Sequence, residues 1–122
     1  MAKILVIDDD LQVRHLMVLA LNNAGHQTFC AENGAEGLKA YRANPADLVI
    51  TDLIMPEKEG IETIIELRRE FPAVKIIAIS GGGRQSGRDF LPVARKLGAQ
   101  RTLQKPFTID ELYDCVAGVL TS

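Results

Sequence analysis

The sequence lacks the features that mark secreted and membrane proteins. Its 122 residues include only two cysteines, Cys30 and Cys115, which are far apart and do not have the spacing of a metal site. We expect both thiols to be reduced and the protein to be cytoplasmic. The longest apolar run, Leu16 to Leu21, is far shorter than the ~20 residues that a membrane-spanning helix needs. Met1 leads almost directly into a strand-like run, so we also expect no signal peptide.

An excess of charge of one sign is also absent. The chain has 14 lysine and arginine residues against 16 aspartate and glutamate residues, a net charge of −2, and the basic residues are scattered. Nucleic-acid-binding surfaces need clustered basic residues, so we expect no binding to nucleic acid. Repeats, linkers and low-complexity segments are missing too. The length and pattern predict a single domain over residues 1–122, with no effector domain.

What the sequence does contain is a repeated alternation of short apolar runs and helical patterns. The runs predict strands near residues 4–7, 28–31, 48–50, 76–79 and 102–103, and the patterns predict helices near 11–24, 34–43, 58–70, 89–97 and 109–120. Such alternation is typical of a parallel sheet covered by helices on both faces.

The composition of the strands indicates their order. The first, third and fourth runs are continuously apolar, as in strands buried on both faces, whereas the second and fifth mix polar and apolar residues, as edge strands do. With right-handed crossovers, this favours the order 2-1-3-4-5. The expected fold is therefore α/β, a doubly wound five-stranded parallel sheet flanked by five helices, which is the known flavodoxin-like arrangement.

Candidate capping residues support these helix boundaries. Asn33 with Glu36, and Thr108 with Glu111, have the spacing of capping boxes. Gly25 stands where a glycine commonly ends a helix.

The residues that follow the strands carry the chemistry. In a doubly wound sheet, ligands bind beyond the carboxyl ends of the strands, where the strand order reverses. The residues expected at this edge are Asp8-Asp9-Asp10, Thr51-Asp52, Ser80 and Lys105-Pro106. Acids, a hydroxyl and one ammonium therefore converge on one edge of the sheet.

Carboxylates gathered in this way predict a metal ion. Two carboxylates ~4 Å apart repel each other by about 4 kcal/mol at an effective dielectric constant of 20. Asp8, Asp9 and Asp52 together therefore need a cation, and all-oxygen ligands without His or Cys favour Mg²⁺, with Mn²⁺ as an alternative. Asp10 is expected to cap the first helix instead.

These residues, in this order, resemble the signature of the response-regulator receiver family of two-component signalling. The resemblance covers the whole chain and rests on Ile7-Asp8-Asp9, the stretch from Asp47 to Pro56 followed by Gly60, Ser80, and Lys105-Pro106. It implies that Asp52 is the phosphoacceptor. It also implies that Asp9, Asp52 and the backbone carbonyl of Ile54 bind Mg²⁺ directly, while Asp8 acts through a bound water.

The function implied by the resemblance is that of a phosphorylation switch. A histidine kinase or a histidine phosphotransfer protein would donate a phosphoryl group from a phosphohistidine, and the aspartyl phosphate would hydrolyse slowly. Ser80 would donate a hydrogen bond to the phosphoryl group and Lys105 would neutralise it, since phosphoryl transfer depends mostly on positioning and charge stabilisation. Such a protein catalyses only its own phosphorylation and dephosphorylation, and its output partner is not indicated.

The sequence departs from the family pattern at two positions. Thr102 stands three residues before Lys105, where the family usually has Tyr or Phe, so a rotating aromatic ring cannot report phosphorylation; the alternative is that Thr102 is an ordinary β-branched strand residue. Gly82 stands where larger side chains often cover the phosphate.

The first helix has more apolar residues than one buried face requires. Either the helix is enclosed on both sides, or Val13 and Leu16 form a kinase docking patch, as the family implies. His15 and His26 are not expected at the active edge.

By the resemblance, the Lys105–Pro106 peptide bond is cis. Neither Ile54 nor Gly82, which flank the path of an attacking water, offers a polar side chain to orient it, so we expect slow self-dephosphorylation.

Two other functions share this architecture. A flavodoxin-like cofactor module would need a Ser/Thr/Gly phosphate loop after the first strand, where three aspartates stand here. A dehalogenase-like Mg²⁺ phosphatase would place its nucleophile after the first strand, with an acid two residues later. Asp8 and Asp10 match that spacing, but the chain is too short for the cap domain.

Overall fold

The computed structural model describes residues 2–53, 60–80, 95–96 and 98–121. The strands of this described part are β1 (Lys3–Ile7), β2 (Gln27–Ala31), β3 (Leu48–Asp52), β4 (Ile76–Ser80) and β5 (Arg101–Gln104). Its helices are α1 (Leu11–Asn23), α2 (Gly34–Ala43), α3 (Gly60–Glu70) and α4 (Ile109–Leu120). Four helices are thus found where five were predicted. The predicted helix near 89–97 lies largely outside the described residues, although Arg95 and Lys96 are helical.

The five strands form one parallel sheet in the order β2-β1-β3-β4-β5, which confirms the predicted order. In the central pairs, Ile7 lies opposite Thr51, and Asp52 lies opposite Ile79. Because all strands run in one direction, their carboxyl ends lie at one edge of the sheet. Asp8 and Lys105, which follow β1 and β5, therefore lie at the same edge as Asp52 and Ser80, which end β3 and β4.

Burial explains this order. Every residue of β3 and β4 is buried, and so are the last four residues of β1, whereas β2 and β5 keep exposed residues as edge strands. Alternate residues of β1 point to opposite faces: Leu5 and Ile7 join the core beneath α2 and α3, and Ile4 and Val6 join the core beneath α1 and α4. Each fully buried Leu or Ile side chain contributes about 1.5–3 kcal/mol.

The helix ends agree with the capping prediction with one exception. The Thr108 hydroxyl accepts a hydrogen bond from the Glu111 N–H at 3.0 Å, and the Glu111 carboxylate accepts one from the Thr108 N–H at 2.8 Å. The Asn33 side chain accepts the Glu36 N–H at 2.8 Å, but no reciprocal bond completes a box there among the described residues. Gly25 follows α1 with φ of 93°, a conformation that favours glycine.

Both cysteines are free thiols, Cys30 exposed and Cys115 buried. Burial raises the pKa of the Cys115 thiol, and the charge of Arg101 opposes this only in part. Within the described residues, no helix combines the length and the apolar character that crossing a membrane requires.

Candidate functional site

Three carboxylates meet at the carboxyl edge of the sheet. Asp8 directly follows β1 and is fully buried, Asp52 ends β3 with 4% of its surface exposed, and Asp9 is exposed. One oxygen from each of these side chains lies within 4.8 Å of the others. The structure therefore brings together the three predicted acids, in a group that could hold a metal ion.

Asp10 does not join this group. Its side chain caps α1 by accepting hydrogen bonds from the N–H groups of Gln12 at 2.9 Å and Val13 at 3.3 Å. This confirms the capping role predicted for Asp10.

Lys105 lies between two of the acids. Its Nζ is 3.0 Å from Asp8 Oδ2 and 3.3 Å from Asp52 Oδ2. Burial lowers the pKa of Lys105, but the charges and hydrogen bonds of Asp52 and Asp8 outweigh it, and the net pKa is raised above the usual 10.5. At neutral pH the group is therefore an ammonium ion that offsets the repulsion between the carboxylates.

The backbone holds Lys105 in this position. The Lys105 N–H donates a hydrogen bond to the carbonyl oxygen of Ser80 at 3.1 Å, which continues the pairing of β5 with β4. The Lys105–Pro106 peptide bond is cis, so that prediction is confirmed.

Ser80 brings a hydroxyl group to the same edge. It ends β4 and is fully buried, and its Oγ has no hydrogen-bond partner within the described residues. The hydroxyl of Thr51, by contrast, already donates to the carbonyl oxygen of Asp52 at 3.0 Å. A buried hydroxyl without a partner costs about 1–3 kcal/mol, so Ser80 Oγ is a donor suited to a ligand oxygen.

Gly60 allows α3 to begin against the end of β3. Its N–H donates to the carbonyl oxygen of Leu53 at 2.8 Å, and a Cβ at this position would clash with the backbone of Asp52 and Leu53. The sequence offered Gly60 only as part of a signature. The structure supplies the reason, which is close packing against the backbone of Asp52.

Arg14 is the residue near this site that sequence reasoning missed. Its Nη1 donates to the carbonyl oxygen of Asp8 at 2.7 Å. The only signal in the sequence is a long cationic side chain one helical turn after the acids.

Other predicted site residues lie elsewhere or are not described. Ile54 and Gly82 fall outside the described residues. Thr102 is half-buried on β5, opposite Ala78 of β4. His15 is exposed on α1, and His26 lies near the N-terminus, where its Nδ1 accepts the Ala2 N–H at 3.1 Å.

The apolar run of α1 is not enclosed on both sides. Met17, Ala20 and Leu21 are buried, but Leu16 is 49% exposed and Leu19 is 54% exposed. Val13 is half-buried and packs against the core. The exposed side chains Leu11, Gln12, His15, Leu16 and Leu19 line a shallow, largely apolar surface depression of about 400 Å³. The exposure of Leu16 and Leu19 contradicts the reading in which α1 is enclosed on both sides.

Known proteins share both the sequence pattern and the fold. A family model described as "Response regulator receiver domain" matches residues 4–117. Sporulation initiation phosphotransferase F of Bacillus subtilis is 33% identical over 114 residues, which are 93% of this chain and 90% of that protein.

Longer relatives match only in part. The transcriptional regulatory protein GlrR of Escherichia coli is 34% identical over 119 residues, which are 98% of this chain but 26% of that protein. Among solved structures, a response regulator receiver domain protein from Clostridium thermocellum superposes with a TM-score of 0.90 and 31% identity. The match covers 99% of this chain and 95% of the other.

Proposed function

Because the chain belongs to the response regulator receiver family, we propose that it is a phosphoacceptor switch whose Asp52 takes a phosphoryl group from a phosphohistidine with the help of Mg²⁺. The observation that carries this proposal is the convergence of Asp8, Asp9 and Asp52, with oxygens within 4.8 Å of one another, beside the ammonium of Lys105. A nucleophile, a cation site and a fixed positive charge are together what phosphoryl transfer to a carboxylate requires.

The residues present fit Mg²⁺. The cluster offers only carboxylate oxygens, with no His or Cys, and hard divalent cations prefer such ligands, Mn²⁺ included. Asp9, Asp52 and the Ile54 carbonyl would hold the ion directly, and Asp8 through a water. When bound, Mg²⁺ supplies charge neutralisation for the transferred phosphoryl group.

The chemistry follows from the positions of the side chains. A carboxylate oxygen of Asp52 forms the new bond to phosphorus while the N–P bond of the phosphohistidine breaks, and its electron pair returns to the imidazole. Ser80 Oγ, which has no partner within the described residues, donates a hydrogen bond to one phosphoryl oxygen, and Lys105 pairs with another. Attack of water on phosphorus later releases phosphate and restores the Asp52 carboxylate. The protein would therefore catalyse only its own phosphorylation and dephosphorylation.

The phosphodonor would be a histidine kinase or a histidine phosphotransfer protein, and it would dock on α1. Leu16 supports this role because it is exposed close to the acidic edge, and the exposed Leu11 and Leu19 extend the same face. Val13 is half-buried and would contribute only its exposed part. The B. subtilis relative is named a phosphotransferase, which is consistent with transfer from such a donor.

We place the protein in the cytoplasm, with residues 1–122 forming one receiver domain. Thr102 on β5 and Gly82 are the positions through which the phosphorylated state would be read.

The test is intact-mass spectrometry after incubation with acetyl phosphate and Mg²⁺. The wild type should gain one phosphate, and Asp52→Asn should gain none. Asp114→Asn, which changes an exposed acid on α4, serves as the matched control and should be phosphorylated like the wild type. A phosphate adduct that persists in Asp52→Asn would assign the acceptor to another residue.

The same preparation separates the alternative functions. We expect a colourless protein that binds beryllofluoride with Mg²⁺ and does not turn over phosphomonoesters. Bound flavin would indicate a cofactor module instead, and turnover of phosphomonoesters would indicate a phosphatase.

A further inference from the structure

Arg14 contacts the backbone of the acidic cluster rather than a carboxylate. The residue is half-buried in the first turns of α1, and its Nη1 donates a hydrogen bond of 2.7 Å to the carbonyl oxygen of Asp8. A hydrogen bond from a charged donor is stronger than a bond between neutral groups. The guanidinium therefore holds this carbonyl group firmly.

The other polar groups of Asp8 are also held. Its N–H donates to the carbonyl oxygen of Ala31 at 3.2 Å, its Oδ1 accepts the Asp10 N–H at 2.9 Å, and its Oδ2 lies 3.0 Å from Lys105 Nζ. The carbonyl bonded by Arg14 belongs to the planar peptide unit that joins Asp8 to Asp9. The orientation of this peptide sets the direction in which the Asp9 side chain leaves the backbone.

Asp9 depends on this backbone more than its two neighbours in the cluster do. Asp8 and Asp52 are buried and both contact Lys105, whereas Asp9 is exposed and its carboxylate has no hydrogen bond among the described residues. Because no such bond holds the Asp9 carboxylate, the preceding peptide sets the direction of the Asp9 side chain.

We propose that Arg14 is a positioning residue for the cation site: by holding the Asp8–Asp9 peptide it directs the Asp9 carboxylate towards Mg²⁺. This inference rests on the proposed function, because it requires Mg²⁺ to bind at the three acids. Partners that orient metal ligands in this way typically change metal affinity by 10–100-fold when they are mutated.

An effect of the Arg14 charge alone would change the affinity for Mg²⁺ in the opposite direction. The direction of the change therefore tests the proposal. The guanidinium is a permanent positive charge close to the carboxylates and repels any cation that binds there. If Arg14 acted only through its charge, removing it would strengthen Mg²⁺ binding. If Arg14 acts through the hydrogen bond, removing it weakens Mg²⁺ binding.

The experiment is a calorimetric titration with Mg²⁺ in the absence of any phosphodonor. Arg14→Met keeps the aliphatic length but loses the charge and the donor, and its Kd for Mg²⁺ should rise roughly tenfold. Arg14→Lys keeps one charged donor and should restore part of the affinity. Arg42→Met is the matched control, because Arg42 pairs with Glu70 of α3 instead of the cluster, and its Kd should equal that of the wild type.

The outcomes are distinct. Mg²⁺ binding by Arg14→Met that is as tight as in the wild type, or tighter, overturns the role of Arg14. Should Arg14→Met fail to fold in a urea titration, Arg14→Leu, which also lacks the charge and the donor, decides by the same criterion. Failure of the wild type itself to bind Mg²⁺ would instead overturn the metal site of the proposed function, and this inference with it.

Discussion

Lys105 acts as an internal counter-ion for two buried carboxylates. Its ammonium is 3.0 Å from Asp8 and 3.3 Å from Asp52, and only 19% of its side chain is exposed. Without it, two negative charges would share a poorly solvated edge of the sheet. A single residue therefore contributes to the stability of the fold and to the charge balance of the site.

This arrangement predicts how Lys105→Met behaves with pH. At pH 7 and without Mg²⁺, the variant should lose about 1.5–3 kcal/mol of unfolding free energy. The pKa of Lys105 is raised in the folded state, so its contribution is complete below the unfolded value near 10.5 and is lost as the pH rises through the folded pKa. Urea denaturation at several pH values should show a constant difference from the wild type up to about pH 10, and a smaller one above it. A difference that grows above pH 10 would contradict this account.

Residues 54 and 82 are predicted to set the lifetime of the phosphorylated state. Ile54 and Gly82 bring no polar side chain that could orient an attacking water, so release of phosphate should be slow. Ile54→Asn and Gly82→Glu should accelerate release from the purified phosphoprotein, because each would add a polar side chain at a position that we expect to flank the path of the water. The measurement is the rate of phosphate release for each variant beside the wild type. Unchanged rates in both variants would show that these positions do not control hydrolysis.

Among the elements, three of the four described helices contain a glycine at which an added Cβ would meet a neighbouring group. A Cβ at Gly60 would clash with the backbone of Asp52 and Leu53, one at Gly37 with the buried side chain of Ile7, and one at Gly118 with the guanidinium of Arg101. These three neighbouring groups differ in how far they can move. The backbone can move least, the buried side chain of Ile7 can move more, and the exposed side chain of Arg101 can move most.

The glycines should therefore rank in their tolerance of alanine. Gly118→Ala should be nearly neutral, since Arg101 can move and alanine favours a helix over glycine by up to about 1 kcal/mol. Gly37→Ala should cost about 1–3 kcal/mol through overpacking, and Gly60→Ala should cost more still. Thermal or urea unfolding of the three variants tests this order. Only Gly60→Ala should also slow phosphorylation of Asp52, because only there does the clash reach the backbone of the acceptor.

For the molecule as a whole, Mg²⁺ should act as a stabilising ligand. A ligand present at 100 times its Kd raises the unfolding free energy by about 2.7 kcal/mol if it binds only the folded state. The wild type should therefore unfold at higher urea concentration when Mg²⁺ is added. Asp9→Asn should lose most of this gain and Asp114→Asn should keep it. An unchanged wild-type midpoint with Mg²⁺ would argue against a cation site at the three acids.

Sequence reasoning predicted much of this architecture because strand burial is visible in composition. The continuously apolar β3 and β4 and the mixed β2 and β5 identify the centre and the edges of the sheet. Hydrophobicity could not tell which leucines of α1 face outward, since the helix has more apolar residues than its buried side holds. Leu16 and Leu19 are exposed, whereas Met17 and Leu21 between and beside them are buried.

The sequence predicted which residues meet at the site, but it did not predict how they contact each other. Topology requires the residues after the strands to share one edge, and this located Asp8, Asp52, Ser80 and Lys105. Topology says nothing about the direction of a long side chain. The contact of Lys105 with Asp8 and the bond from Arg14 to the Asp8 carbonyl both depend on rotamers that no sequence pattern encodes.

The two contacts of Lys105 also bear on protein synthesis. They join Asp8, which follows β1, and Asp52, which ends β3, to Lys105, which follows β5. A chain emerging from the ribosome presents Asp8, Asp9 and Asp52 long before Lys105 leaves the exit tunnel. A nascent chain, or a fragment that proteolysis has cut before β5, therefore keeps its acids but lacks the ammonium of the proposed phosphorylation site. Only a chain made through its fifth strand has both the acids and the ammonium that the proposed phosphorylation requires.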